Sequence, residues 1–202
     1  MKGIFQKLLE PTSKPAVIIV SGLPRSGTSM MMKMLEAGGI APLTDEIRTA
    51  DKDNPKGYYE FEPVKKTKED PSWLKRATGK VVKMVYRILY DLPGGYEYRV
   101  VFMQRDLTEV LASQKKMLDR SGKSGGAVSD EQMAALFTAE LEKCQKWLAG
   151  QDNFKVLYIN YRDMIDHPQP QCEKVNGFLD GGLNIEAMAE TVDPALYRNR
   201  NQ

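Results

Sequence analysis

The sequence predicts an α/β fold, a parallel sheet flanked by helices on both faces. Three observations predict it. Four short runs, at residues 16–20, 81–85, 100–103 and 155–159, are apolar and mostly β-branched, as strands buried on both faces are. Segments with apolar residues at helical spacing come between and after them. Strands alternating with helices form a largely parallel sheet covered on both sides. And 202 residues, 42% hydrophobic and 28% charged, can bury a sizeable core without disulfide or metal staples, so residues 1–202 read as a single domain.

Each element follows in order. Ala16-Val17-Ile18-Ile19-Val20 is the first strand, and the Gly, Pro and Ser of residues 21–27 end it. From Thr28, residues Met30, Met31, Met34 and Leu35 mark a helix that Gly38-Gly39 stops. Residues 41–79 break the alternation: they are polar, and 11 of the 20 residues from 51 to 70 are charged. That segment reads either as a solvated excursion or as a lid and acceptor segment over the sheet's carboxyl edge, where such sheets bind ligands. After the third strand, Val110, Leu111, Met117 and Leu118 mark a helix, with Asp106 as N-cap and Glu109 three residues on. Gly122, Gly125 and Gly126 link it to a second helix, which the capping box of Ser129 and Gln132 opens. The fourth strand leads to a last helix, from about Pro170 to Leu179, before Gly181-Gly182.

Charge and composition exclude several functions. With 29 Lys+Arg against 27 Asp+Glu, no general electrostatic grip on nucleic acid is expected, and any basic site is local. The single histidine, His167, excludes a His-cluster metal centre, and it reads as a turn residue. Cys144 and Cys172 fall in helical apolar patterns and read as reduced core residues. No run is long and apolar enough to span a membrane, and the expected location is the cytoplasm.

The most informative stretch is Gly22-Leu23-Pro24-Arg25-Ser26-Gly27-Thr28-Ser29, between a buried strand and a helix. Backbone N–H groups converge in such a turn, and the helix N-terminus adds about half a positive charge, so it suits a phosphate. Arg25 adds a planar fork for an oxyanion, and Thr28 and Ser29 add hydroxyls. The spacing is close to G-x-x-x-x-G-K-[ST], but Thr28 stands at the lysine position, which argues against an ATP or GTP phosphotransferase.

Pro24-Arg25-Ser26-Gly27-Thr28 resembles the 5′-phosphosulfate loop of the sulfotransferases, written P-[KR]-S-G-T. Three further stretches resemble that family in the same order. Asn54-Pro55-Lys56-Gly57-Tyr58-Tyr59-Glu60 is similar to the N-P-x-G-[FY]-[FY]-E of bacterial members. Arg105, with Ser113 eight residues later, resembles the pair that holds the donor's 3′-phosphate. Tyr161-Arg162-Asp163-Met164, followed by Pro168, is similar to Y-E-D-[LM]-x-x-x-P, whose Tyr contacts adenine; Arg162 replaces the usual Glu. The resemblance implies a P-loop-like architecture and 3′-phosphoadenosine 5′-phosphosulfate as co-substrate, with no metal. Its acceptor would be a small molecule, glycan or peptide. Pro24, Arg25, Ser26, Gly27, Thr28, Ser29, Arg105, Ser113 and Tyr161 would bind the donor.

The same resemblance bears on catalysis. Arg25 and Lys83 would stabilise the moving charge; Lys83 resembles the family's strand lysine, and its alternative is to snorkel to the surface. A general base is also wanted. Glu46, 21 residues after Arg25, looks like the catalytic Glu in the G-E-E-T-R of tyrosylprotein sulfotransferases; Glu60 and Glu62 are its rivals. Met30 stands where many members place an aromatic against adenine. The family's Arg-Lys-Gly loop is absent, leaving Arg198 or Arg200 as substitutes or as a frayed tail.

Overall fold

The first apolar run forms β1, Val17–Gly22, the strand on which the sheet is built. The computed structural model describes residues 16–45, 59–120, 122 and 128–193. Around β1 lie β2 (Val81–Lys83), β3 (Tyr98–Gln104) and β4 (Phe154–Asn160), in the order β2-β1-β3-β4. All three pairings are parallel: Ile19 faces Val82 on one side and Val100 on the other, and Val101 faces Leu157.

Because successive side chains point to opposite faces, each strand feeds two cores. Val17, Ile19, Val82, Val100 and Phe102 pack on one face, where α3 (Asp130–Ala149) brings Cys144 and Leu148. Val20, Val81, Val101, Met103 and Ile159 pack on the other, against Met31, Met34 and Leu35 of α1 (Thr28–Ala37) and Val175 of α5 (Pro168–Phe178). Helices thus cover both faces, as the strand composition requires. Cys144 and Cys172 are buried and free. Burial pushes the Cys172 thiol up to about 11 and raises Cys144 as well, as expected of inert core thiols.

The caps follow the sequence reading. Asp106 Oδ1 accepts from the backbone N–H groups of Thr108 (2.9 Å) and Glu109 (3.2 Å), opening α2 (Leu107–Arg120). Ser129 and Gln132 form the complete capping box of α3. Four features differ from expectation. The second strand is shorter, because Val85 enters a 3-10 turn at Tyr86–Asp91; Met84 keeps a backbone bond to Val20 (3.0 Å). The last expected helix begins earlier, with Pro168 in its first turn, where no N–H is needed. Two six-residue helices, α4 (Tyr161–Asp166) and α6 (Ile185–Glu190), flank it, too short to show a period. And residues 59–79, part of the segment read either as a solvated excursion or as a lid, expose their charges but pack their apolar residues into the core. Phe61, Val64, Trp73, Leu74 and Ala77 are buried, and Trp73 Nε1 donates to Thr67 Oγ1 (3.1 Å).

No helix among the described residues is long and apolar enough to cross a membrane.

Candidate active site at the carboxyl edge of the sheet

The strand order creates the site. From β1 the chain passes through α1 to β2 on one side, while β3 lies on the other, so the loops leaving β1 and β3 part company at their carboxyl ends. In open α/β sheets that divergence leaves a crevice in which ligands bind. The loop at residues 22–27 and the start of α2 face each other there.

Local chemistry shapes the first loop. Ser26 is buried, and its Oγ donates to the Leu23 carbonyl at 2.7 Å, closing the turn. Arg25 adopts φ 72, left-handed although it has a Cβ, and Pro24 is exposed beside it. Gly27 has φ 99, and a Cβ there would stand 2.4 Å from Tyr161 Cδ2. The loop and the end of β4 are in contact only because that side chain is missing.

Four of the expected site residues meet in one network. Arg25 Nε donates to Ser113 Oγ at 3.0 Å, and Ser113 is buried on α2. Arg105 Nη1 donates to the Arg25 carbonyl at 3.1 Å. The Arg105 guanidinium lies 4.4 Å from the centre of the Tyr161 ring, a cation–π contact. Its Nε donates to Glu109 Oε2 at 2.9 Å, with both side chains nearly enclosed. Glu109 was legible in the sequence only as a capping residue; its i,i+4 spacing from Arg105 is the signal that could have marked it.

A second cationic point lies at the N-terminus of α1. Lys83 ends β2, and its ammonium donates to Ser29 Oγ at 3.3 Å, turning inward rather than snorkelling outward. Thr28 begins α1 beside it, where the helix dipole favours an anion.

The acids lie on two stretches of chain that bond to each other. Val81 N donates to Ala41 O at 3.1 Å and Leu43 N to Val81 O at 2.8 Å, so residues 41–43 run alongside β2. Asp45 N and Thr44 Oγ1 donate to the Glu60 carbonyl (3.2 and 2.9 Å), and Asp45 Oδ2 accepts from Glu62 N (2.6 Å). The Glu62 carboxylate accepts from Lys65, whose pKa that bond raises. Tyr59 OH donates to Glu36 Oε2 at 2.5 Å; burial and then the Glu36 carboxylate push the phenol up. Glu46, which follows Asp45 directly, lies outside the described residues, as do residues 54–58 of the bacterial-type motif, Arg198 and Arg200. His167 is the turn residue between α4 and α5, its N–H donating to Asp163 O at 2.8 Å.

No family model matches the chain, and no curated protein does. Solved structures do. A sulfotransferase domain from the curacin biosynthetic pathway superposes with a TM-score of 0.55 at 14% identity, over 94% of this chain and 93% of that one. A sulfotransferase from Alicyclobacillus acidocaldarius gives a TM-score of 0.48 at 14% identity, over 82% and 81%. On the first match, the chain has a sulfotransferase-like fold.

Proposed function

We propose that the protein is a sulfotransferase, which moves the sulfuryl group of 3′-phosphoadenosine 5′-phosphosulfate to a hydroxyl or amine and needs no metal ion. One observation carries the reading: Arg25, Lys83, Arg105 with Ser113, and Tyr161 come from four separate stretches of chain and converge on one edge of the sheet. The Arg105 guanidinium and the buried Ser113 hydroxyl make one anion-binding pole, and the Arg25 loop with Lys83, Ser29 and the start of α1 makes the other. A donor with a 3′-phosphate and a 5′-phosphosulfate has one anion for each.

In this reading Arg105 and Ser113 take the 3′-phosphate, which suits a planar fork and a helix start. Tyr161 offers its ring to the adenine. The loop from Pro24 to Ser29 wraps the phosphosulfate with the backbone N–H groups that follow Pro24, where Ser26 keeps the turn closed and Gly27 leaves room. The acceptor oxygen or nitrogen attacks sulfur in line. Its bond to sulfur forms as the bond from sulfur to the bridging oxygen breaks, and that oxygen leaves on the 5′-phosphate. Arg25 and Lys83 stabilise the charge that grows on the transferring and leaving oxygens. The acceptor's proton passes to a carboxylate, Glu46 in the first place, with Glu60 and Glu62 as rivals. Thr28 in place of the P-loop lysine weighs against a Mg²⁺-nucleotide kinase. The acceptor is a small molecule, glycan or peptide.

Calorimetry with 3′-phosphoadenosine 5′-phosphate, in the absence of Mg²⁺, tests the donor site. We expect micromolar binding that 5′-AMP does not match and that Arg105→Ala weakens at least about tenfold. Binding of ATP that requires Mg²⁺ would replace this reading with a kinase; indifference to the 3′-phosphate would leave a nucleotide module of another kind.

A further inference from the structure

Glu109 stands in the first turn of α2 and is 3% exposed. A carboxylate taken out of water is unfavourable unless a cation and hydrogen bonds compensate it. Its compensation is the Arg105 guanidinium, with Nε 2.9 Å from Oε2. Arg105 is therefore held from three directions: by Glu109, by the Arg25 carbonyl at 3.1 Å, and by the Tyr161 ring at 4.4 Å. The carbonyl belongs to a non-glycine residue at φ 72, a conformation that surrounding bonds must sustain. The Arg25 side chain then returns to α2 through Ser113, one helical turn beyond Glu109 on the same face. The ring Glu109, Arg105, Arg25, Ser113 thus starts and ends on one helix.

We propose that Glu109 is a positioning residue of this site: its buried carboxylate orients the Arg105 guanidinium, and through it the turn at Arg25, for the 3′-phosphate of the donor. The inference rests on the nucleotide reading above. It is not obvious from charge alone. A carboxylate beside a phosphate-binding arginine lowers the positive potential, so its electrostatic effect opposes binding. Its orienting effect favours binding, because an arginine fork works only when its plane meets the phosphate. The two effects have opposite signs, so one substitution separates them.

The full chain, as wild type, Glu109→Ala and Glu109→Gln, is titrated with 3′-phosphoadenosine 5′-phosphate and with 5′-AMP. We expect Glu109→Ala to weaken the first ligand about 10- to 100-fold, the effect of losing one hydrogen bond to a charged group. The second, which has no 3′-phosphate, changes less than about threefold. Glu109→Gln keeps an acceptor for Arg105 Nε and recovers most of the loss. Equal or tighter binding by Glu109→Ala overturns the proposal, and so does equal weakening of both ligands, the mark of general destabilisation. Should Glu109→Ala not fold, Glu109→Asp takes its place, since its shorter side chain withdraws the carboxylate from Nε. Discrimination for the 3′-phosphate lost in Asp and kept in Gln supports the proposal; discrimination kept in both overturns it. A wild type without that discrimination removes the nucleotide reading itself, whereas discrimination that every Glu109 variant retains removes this inference alone.

Discussion

At Gly27 the chain leaves the loop for α1 with φ 99, and the Tyr161 ring lies where a Cβ would stand, 2.4 Å from Cδ2. Any L side chain meets two penalties there, a left-handed backbone and a displaced ring, whereas Gly39, at φ 106 with nothing within 4 Å, meets the first alone. Gly27→Ala should therefore cost about 2–4 kcal/mol of stability, and Gly39→Ala about 1 kcal/mol. Urea unfolding of the two variants measures the difference, and equal losses would mean that Tyr161 gives way freely. Because the displaced ring also packs on Arg105, Gly27→Ala should weaken 3′-phosphoadenosine 5′-phosphate as well. Arg25, Ser26 and Gly27 were legible in the sequence because their chemistry depends on immediate neighbours. The contact between Gly27 and Tyr161 was not, since it joins residues far apart in the chain and shows in neither one's local pattern. Glu109 was harder to see for a related reason: an acid in the first turn of a helix is ordinary, and its i,i+4 spacing from Arg105 gains its meaning only from the burial of both side chains.

Among the elements, β2 has the most effect for its size. It is Val81–Lys83 alone, yet it places Lys83 against Ser29 at the start of α1. In the proposed transfer, a lysine so placed would act on the charge that grows as the group moves more than on the bound product, which lacks that group. Lys83→Met keeps the length of the stem and removes the ammonium. It should lower kcat about 10²- to 10³-fold, as the loss of one such donor does, while 3′-phosphoadenosine 5′-phosphate binds within about threefold of wild type. Turnover at the wild-type level would take Lys83 out of the mechanism. The strands were legible because each is a continuous apolar run, and α3 because it carries a complete capping box. The segment at residues 59–79 was not. Its 3-10 turns at Glu62–Lys66 and Ser72–Arg76 place Val64, Trp73 and Leu74 in the core without a repeat that a helix or strand would show.

For the molecule as a whole, the order β2-β1-β3-β4 decides where chemistry can occur. That order was not legible, because parallel pairing joins distant runs and any apolar strand can accept any other as its neighbour. Once it is set, the loop after β1, the end of β2, the start of α2 and the residues after β4 share one edge, so a single ligand bound there would meet the chain where all four strands end. A ligand that binds the folded chain and not the unfolded one stabilises it by mass action, by about 2.7 kcal/mol at a hundredfold excess over Kd. For a chain of this length that is a rise in Tm of about 5–10 °C. Because the two cores lie on opposite faces of the same four strands, the rise should come as one sharpened transition rather than as separate shifts of two parts. Amide exchange should slow together at residues 22–29, 105–113 and 160–163. A Tm that does not move under saturating 3′-phosphoadenosine 5′-phosphate, or protection confined to one of those stretches, would mean that the ligand does not bridge the sheet and that the convergence of side chains at its edge serves the fold alone.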